Sequence, residues 1–251
     1  MAHGYRTLQH WNQWLTQQYL GPELLKTEQE LLTQLLNRHF GKHVLLIGVP
    51  NQYDLLNSTK IPCHTLISPL MYKENQFNYI ESDFHELPIL TGSIDLVMLP
   101  HTLEFVDNPR QLLAEACRII KPEGLILICG FNPYSTWGLK KKWGKHKAAL
   151  WMGNLIQANM IKAWLQLADF AMEQHKSALF RPPVQQGNLY KKLQFLEGLG
   201  NKCFPVFGGV YALLARAKVI PLTPIKLKWK QNLGGIRVST SISGHIARSS
   251  Q

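Results

Sequence analysis

The chain has 251 residues, 45% of them hydrophobic, and a formal net charge of +11. That length and apolar content suit one large folded domain with appendages and exclude a wholly disordered chain. No apolar run reaches the ~18–20 residues of a membrane span, and the first residues lack the apolar core and small-residue cleavage site of a secretory leader, so a cytoplasmic protein is expected.

In chain order, the first forty residues are expected to be helical. "GPELLKTEQELLTQLLNRHF" sets Leu24, Leu25, Leu31, Leu32, Leu35 and Leu36 at helical spacing, with Pro22 suited to a first turn and Gly41 to a stop. "HVLLIG" (43–48) is a short buried strand. "CHTLIS" (63–68), "FNYIES" (77–82) and "SIDLVMLP" (93–100) make three more. "NPRQLLAEACRIIKPEG" (108–124) is an amphipathic helix capped by Asn108, with Pro109 at its first position and Pro122 and Gly124 ending it. "LILICGF" (125–131) is a fifth strand, and 154–170 carries another helical stripe. "AMEQHKSALFRP" and "FPVFGGVYALLARAK" (204–218) close one sheet edge as an antiparallel pair. Strands alternating with helices or short crossovers predict an α/β fold, a doubly wound, mostly parallel sheet preceded by N-terminal helices. Three parts follow: a helical extension (1–40), the sheet domain (41–219), and a flexible basic tail (220–251) rich in Ser, Gly, Pro and Lys.

The charge is uneven. "GLKKKWGKHK" (138–147) carries five lysines and no acid, and no Asp or Glu occurs after Glu197. Lys140–Lys147 and the tail thus offer a surface to nucleic acid, anionic lipid or an acidic partner, or serve only to solubilise. The four cysteines form no CxxC pair, and Cys117 and Cys129 sit in apolar surroundings. Buried thiols in a reducing compartment are expected, with no metal site.

"HVLLIGVPNQYD" (43–54) delivers Gly48 where a nucleotide-cradling turn would begin, but Pro50 and Gln52 stand where two further glycines belong. The block "ESDFHELPILTGSIDLVMLPHTLEFVDNPRQLLAEACRIIKPEGLILICGFNP" (81–133) resembles the second half of the class I S-adenosylmethionine-dependent methyltransferase domain, of the ubiquinone-biosynthesis type. "SDFHELP" looks like the acid after the third strand followed by Leu-Pro. "GSIDLVMLPHTLEFVDNP" looks like the fourth strand and its histidine-containing loop, and "LLAEACRIIKPEGLILI" like the helix, Lys-Pro-x-Gly turn and fifth strand. In weaker form residues 20–218 resemble a bacterial group of such domains that lack the usual glycine motif.

The resemblance implies a Rossmann-like methyltransferase fold with S-adenosylmethionine lying across the carboxyl ends of the strands. It assigns Gly48 to the first glycine of the cofactor turn, Asp83 to the acid that meets the adenine amino group, and Phe84 to the adenine wall. Leu99, Pro100 and His101 fall at the fourth-strand exit that floors the methionine and sulfonium end. Ser68 stands where an acid ordinarily takes the ribose hydroxyls, and the short spacing from Gly48 to Asp83 requires an abbreviated first crossover. Losing that acid and two glycines weakens cofactor binding by about 2–4 kcal/mol, which moves a ~1 μM site toward tens of micromolar to about a millimolar.

Methyl transfer needs chiefly alignment, and a general base only when the acceptor is protonated. His101 is the candidate base, against a packing role; Trp11 and Trp14, at helical spacing, suit core or lid packing; Asp95 suits a structural role. The retained Asp83 and fourth-strand loop favour a methyltransferase of unknown acceptor. The alternatives are a degenerate methyltransferase-fold binding or regulatory module and a nucleic-acid-binding protein.

Overall fold

Side-chain alternation builds two cores from one sheet. In β1 (His43–Ile47) the even residues Val44 and Leu46 enter one apolar cluster, and the odd residues Leu45 and Ile47 enter the other. The same division runs through β4 (Ile94–Pro100) and β5 (Ile120–Phe131), where every residue from Leu125 to Phe131 is buried. Strands covered on both faces read as continuous apolar runs, and these do. The structure is a computed structural model that describes residues 2–72, 77–143, 153–184, 192–193, 196–198 and 207–219. The basic tail, Lys145, Lys147, Trp151 and Cys203 lie outside the described residues.

Seven strands form one sheet in the order β3-β2-β1-β4-β5-β7-β6, completed by β2 (Cys63–Ser68), β3 (Asn78–Glu81), β6 (Phe170–Ala178) and β7 (Val210–Ala217). The first five strands pair in parallel. β7 inserts antiparallel between β5 and β6, so the expected antiparallel edge pair is present. The crossover from β1 to β2 is one 3-10 run, Pro50–Ser58, in place of an α-helix, as the short Gly48–Asp83 spacing requires.

The N-terminal helices are α1 (Ala2–Gln17) and α2 (Leu20–Leu36). Leu8, Trp11, Trp14 and Leu15 of α1 pack in the cluster that holds Ile47, Val49 and Leu99. In α2, Leu20 and Leu24 join that cluster, while Leu31, Leu32, Leu35 and Leu36 join the other. α2 therefore bridges the two cores, and Glu28 lies between its two apolar halves. Helix α3 (Pro109–Ile119) starts as expected: the Asn108 side chain accepts the Gln111 N–H at 3.2 Å. It ends at Ile119, before Pro122, because the chain enters β5 at Ile120. Two shorter helices, α4 (Thr136–Trp143) and α5 (Ala158–Leu167), follow.

Asp95 is structural, as its place inside a strand suggested. Its Oδ2 accepts the Lys42 and His43 N–H groups at 3.0 Å each, and its Oδ1 accepts Lys121 Nζ at 2.9 Å. Burial alone would push this carboxyl up, but the Lys121 ammonium and the two backbone N–H groups together hold it below the usual carboxylate range. The pair pins the start of β1 to β4 and β5. Asp95→Ala is expected to lower unfolding free energy by about 1.5–3 kcal/mol in a urea titration, the range for hydrogen bonds to a charged group.

Candidate cofactor site

The turn after β1 is closed by its own side chain. Gln52 sits in the first turn of the 3-10 run, where its N–H donates to Val49 O at 3.0 Å and its Oε1 accepts the Val49 N–H at 3.2 Å. Its Nε2 donates to Pro100 O at 2.9 Å, which ties the β1 turn to the end of β4. Gln52 is 1% exposed, and a Cβ built on Gly48 would lie 2.7 Å from Gln52 Oε1. The amide thus fills the space over Gly48. Gln52 is not among the left-handed residues of the described chain, so the expected backbone strain at that position does not arise. α1 reinforces the closure: the Asn51 N–H donates to Asn12 Oδ1 at 3.0 Å, and Asn51 Nδ2 donates to Asn12 O at 2.7 Å.

At the exit of β4 the chain turns through His101, which is left-handed (φ 59°) and fully buried. Its Nδ1 donates to Glu104 Oε2 at 2.8 Å, and its Nε2 donates to Glu28 Oε1. Glu104 Oε1 accepts the Phe131 N–H at 2.7 Å. Burial by itself favours a neutral imidazole, but the Glu28 and Glu104 carboxylates reverse this and push the ring up to about 10. Burial raises the Glu104 carboxyl as well, against the pull of His101. A ring that holds its proton to about 10 has no lone pair with which to abstract another near neutrality. The accessible base expected at position 101 is therefore not found in this arrangement; the residue is an ionic link instead.

Trp11 covers this link. Its ring lies 5.5 Å from that of His101, 4.9 Å from Phe105 and 6.0 Å from Phe131, and it stacks on Trp14 at 5.3 Å. Trp11 is 1% exposed, yet its Nε1 and the Glu28 Oε2 find no hydrogen-bond partner among the described residues. Each such buried orphan costs about 1–3 kcal/mol.

Beside this packed region lies an open cleft of about 650 Å³, lined by Tyr5, Arg6, Asp83, Phe84, Phe105 and Asp107 among others. Asp83 Oδ1 accepts from His85 Nδ1 at 2.8 Å, and that bond holds its carboxyl below the ordinary range. Phe84 is buried and forms part of the wall. The loop beyond is anchored by Arg118, which donates to Leu87 O, Ile89 O and the Glu115 carboxylate.

The expected site residues therefore divide. Asp83 and Phe84 line the cleft; Gly48, Ser68, Leu99 and Pro100 do not. Leu99 and Pro100 are buried, and Ser68 is fully buried with its Oγ accepting the Leu70 N–H at 3.3 Å. Its carbonyl accepts from Tyr79 Oη at 3.1 Å. In the basic segment, Lys140 Nζ donates to Pro183 O and Lys141 Nζ to Gly153 O, so those two ammonium groups hold backbone carbonyls. Cys63, Cys117 and Cys129 are free thiols, and burial pushes Cys117 up to about 12. Among the described residues no group of three or more His, Cys, Asp or Glu side chains is arranged to hold a metal.

Residues 63–128 match a family described as a methyltransferase domain. An uncharacterized Escherichia coli protein, YafS, is 29% identical over 159 residues, covering 63% of this chain and 62% of its own length. A SAM-dependent methyltransferase from Thermotoga maritima superposes with a TM-score of 0.61 at 18% identity, covering 84% of this chain and 100% of that one. Residues 63–128 are thus similar to a methyltransferase domain, and the fold is the one shared by S-adenosylmethionine-dependent methyltransferases of solved structure. A demethylmenaquinone methyltransferase of Clavibacter sepedonicus is 24% identical over 124 residues, 41% of this chain and 51% of the relative. The matches thus span less than two thirds of either curated relative.

Within this methyltransferase-like fold, the fit to the cofactor that the resemblance implies differs between its two ends. An ionised acid, an aromatic wall and an open cleft suit an adenosyl group. At the strand ends, where the methionine portion belongs by the resemblance, Gln52 and Trp11 already fill the space. Glu28, Glu104 and Gln52 went unrecognised as site residues in the sequence. Glu28 was detectable in principle, because it falls on the Leu24–Leu31–Leu35 stripe of α2, and a lone acid on an apolar face demands a buried partner.

The ionic link makes stability pH-dependent with a definite sign. A histidine whose folded pKa is raised from 6.5 to about 10 contributes stability that is complete below 6.5 and lost as pH rises through 10. Thermal unfolding followed between pH 6.5 and 10 is expected to show a falling Tm. His101→Asn, which tolerates the left-handed backbone, is expected to lose about 3–5 kcal/mol near neutral pH and to flatten that fall.

Proposed function

We propose that the protein is an S-adenosylmethionine-dependent methyltransferase that recognises the adenosyl group of its cofactor through Asp83 and Phe84. The observation that carries this is the open cleft at the sheet's edge, with an ionised carboxylate and an apolar wall in the positions the family resemblance assigns to adenine. Ligands of open α/β sheets bind outside the carboxyl ends of the strands, and this cleft adjoins the segments that follow β3 and β4. When bound, the cofactor would supply an activated methyl group. The chain's own contribution is to grip the purine and align an acceptor. The acceptor is unassigned, and the affinity is weak because the β1 turn lacks its glycines and β2 ends in Ser68 rather than an acid. The cytoplasm is the proposed place of action; no helix among the described residues is long and apolar enough to cross a membrane. An anionic partner for Lys140–Lys147 and the tail belongs to the same proposal.

The packing of Gln52 and Trp11 over the strand ends lends support to a second reading, an adenosyl-binding module without turnover. Titration calorimetry of the full chain separates these ideas. S-adenosylmethionine is expected to bind in the tens of micromolar to millimolar range, with Asp83→Ala weakening it about ten- to hundredfold. No heat at millimolar cofactor would reject cofactor binding. Binding without label transfer from methyl-labelled cofactor to any component of a cell extract would favour the second reading.

A further inference from the structure

We infer that the Trp11 segment of α1 is an exchangeable occupant of the strand ends, displaced when an S-adenosyl ligand seats its aminoacyl end. This rests on the adenosyl reading above and goes further, because it assigns α1 a competitive role in ligand affinity. Four observations carry it.

α1 is divided within a single turn. Its early residues Tyr5, Arg6 and Leu8 form a wall of the open cleft, while Trp11, Asn12, Trp14 and Leu15 pack against the β1 turn and the ends of β4 and β5. The border between open and filled space therefore lies between Leu8 and Trp11. A ligand longer than a nucleoside, extending from the cleft along the strand ends, would enter the space that Trp11 fills behind Phe105.

The packed state is also imperfectly matched. Trp11 Nε1 and Glu28 Oε2 are buried, each on a residue that contacts His101, without partners among the described residues. A fully evolved core seldom leaves two polar atoms unpaired at one spot. Lifting the indole would let both find water or ligand.

Among the described residues, polar ties from α1 to the turn run through Asn12. Two hydrogen bonds between Asn12 and Asn51 make the link, one of them to the Asn12 side chain. Finally, α1 is joined to α2 through only Gln18 and Tyr19, with the Gly21 N–H donating to Gln18 O at 3.0 Å. A Cβ at Gly21 would lie 2.3 Å from Leu15 O, so the helices meet at a tight corner, and displacing α1 need not move α2, which is packed in both cores.

An occupant of this kind reduces apparent affinity by the fraction of molecules in which it is lifted. The reduction applies to ligands with an aminoacyl tail and spares adenosine, which needs only the cleft. The test uses the full chain with adenosine and S-adenosylhomocysteine as probes, by calorimetry and tryptophan emission. Asn12→Ala removes one tie and is expected to tighten S-adenosylhomocysteine about tenfold, leaving adenosine within about twofold. Trp11→Ala is expected to do the same if it folds; Asn12, only partly buried, keeps the test independent of that. S-adenosylhomocysteine, but not adenosine, is expected to shift wild-type emission to the red. An unchanged ratio of the two affinities, or no red shift, while adenosine still binds, overturns the exchange and leaves the adenosyl cleft standing. Silence with both probes in every variant rejects the adenosyl reading itself.

Discussion

The arrangement of the strand ends depends on one buried ionic cluster. His101 receives a carboxylate from α2 on one nitrogen and a carboxylate from its own loop on the other, and that second acid also holds the backbone of β5. Three separate stretches of chain are thereby fixed by one imidazolium. Removing charges from water is costly, and a cluster of this sort is tolerated only when each member is paired. The chain is left-handed at His101 itself, where β4 gives way to the loop that carries Glu104. Everything above the cluster, including the aromatic stack of Trp11 and Trp14, is laid on that foundation.

Gln52 plays a similar part at the neighbouring strand. A glycine-rich turn would leave backbone N–H groups facing a ligand; here the Val49 N–H is satisfied by the Gln52 amide, whose other end reaches the carbonyl of Pro100. The protein has internalised contacts that a glycine-rich turn would reserve for a ligand. The neighbouring open cleft instead presents Asp83, paired with His85, beside the wall supplied by α1.

Much of the fold was legible in the sequence because it is written in local patterns. The continuous apolar runs at 43–47 and 94–100, the Asn108-Pro109 cap, and the short spacing before Cys63 each dictate structure within a few residues. The missing helix between β1 and β2 could be read from length alone. The site was less legible, because its decisive contacts join residues far apart in the chain. His101 meets Glu28, Asn51 meets Asn12, and Gln52 meets Pro100. Family likeness placed Asp83 and Phe84 on the cleft but also assigned Gly48, Leu99 and Pro100 to a surface that Gln52 and Trp11 cover. A resemblance carries over backbone positions; it does not report which side chains have come to lie on top of them.

The two N-terminal helices differ in their attachment. α2 has apolar residues in both cores, so freeing it would break the packing on both faces of the sheet at once. α1 touches a single face. Regions with fewer shared contacts open at lower free energy than those woven through the whole domain. The backbone amides of α1 should therefore exchange with deuterium by a local opening, while those of α2 wait for global unfolding, and the border between fast and slow labels should fall at the corner around Gln18 and Tyr19.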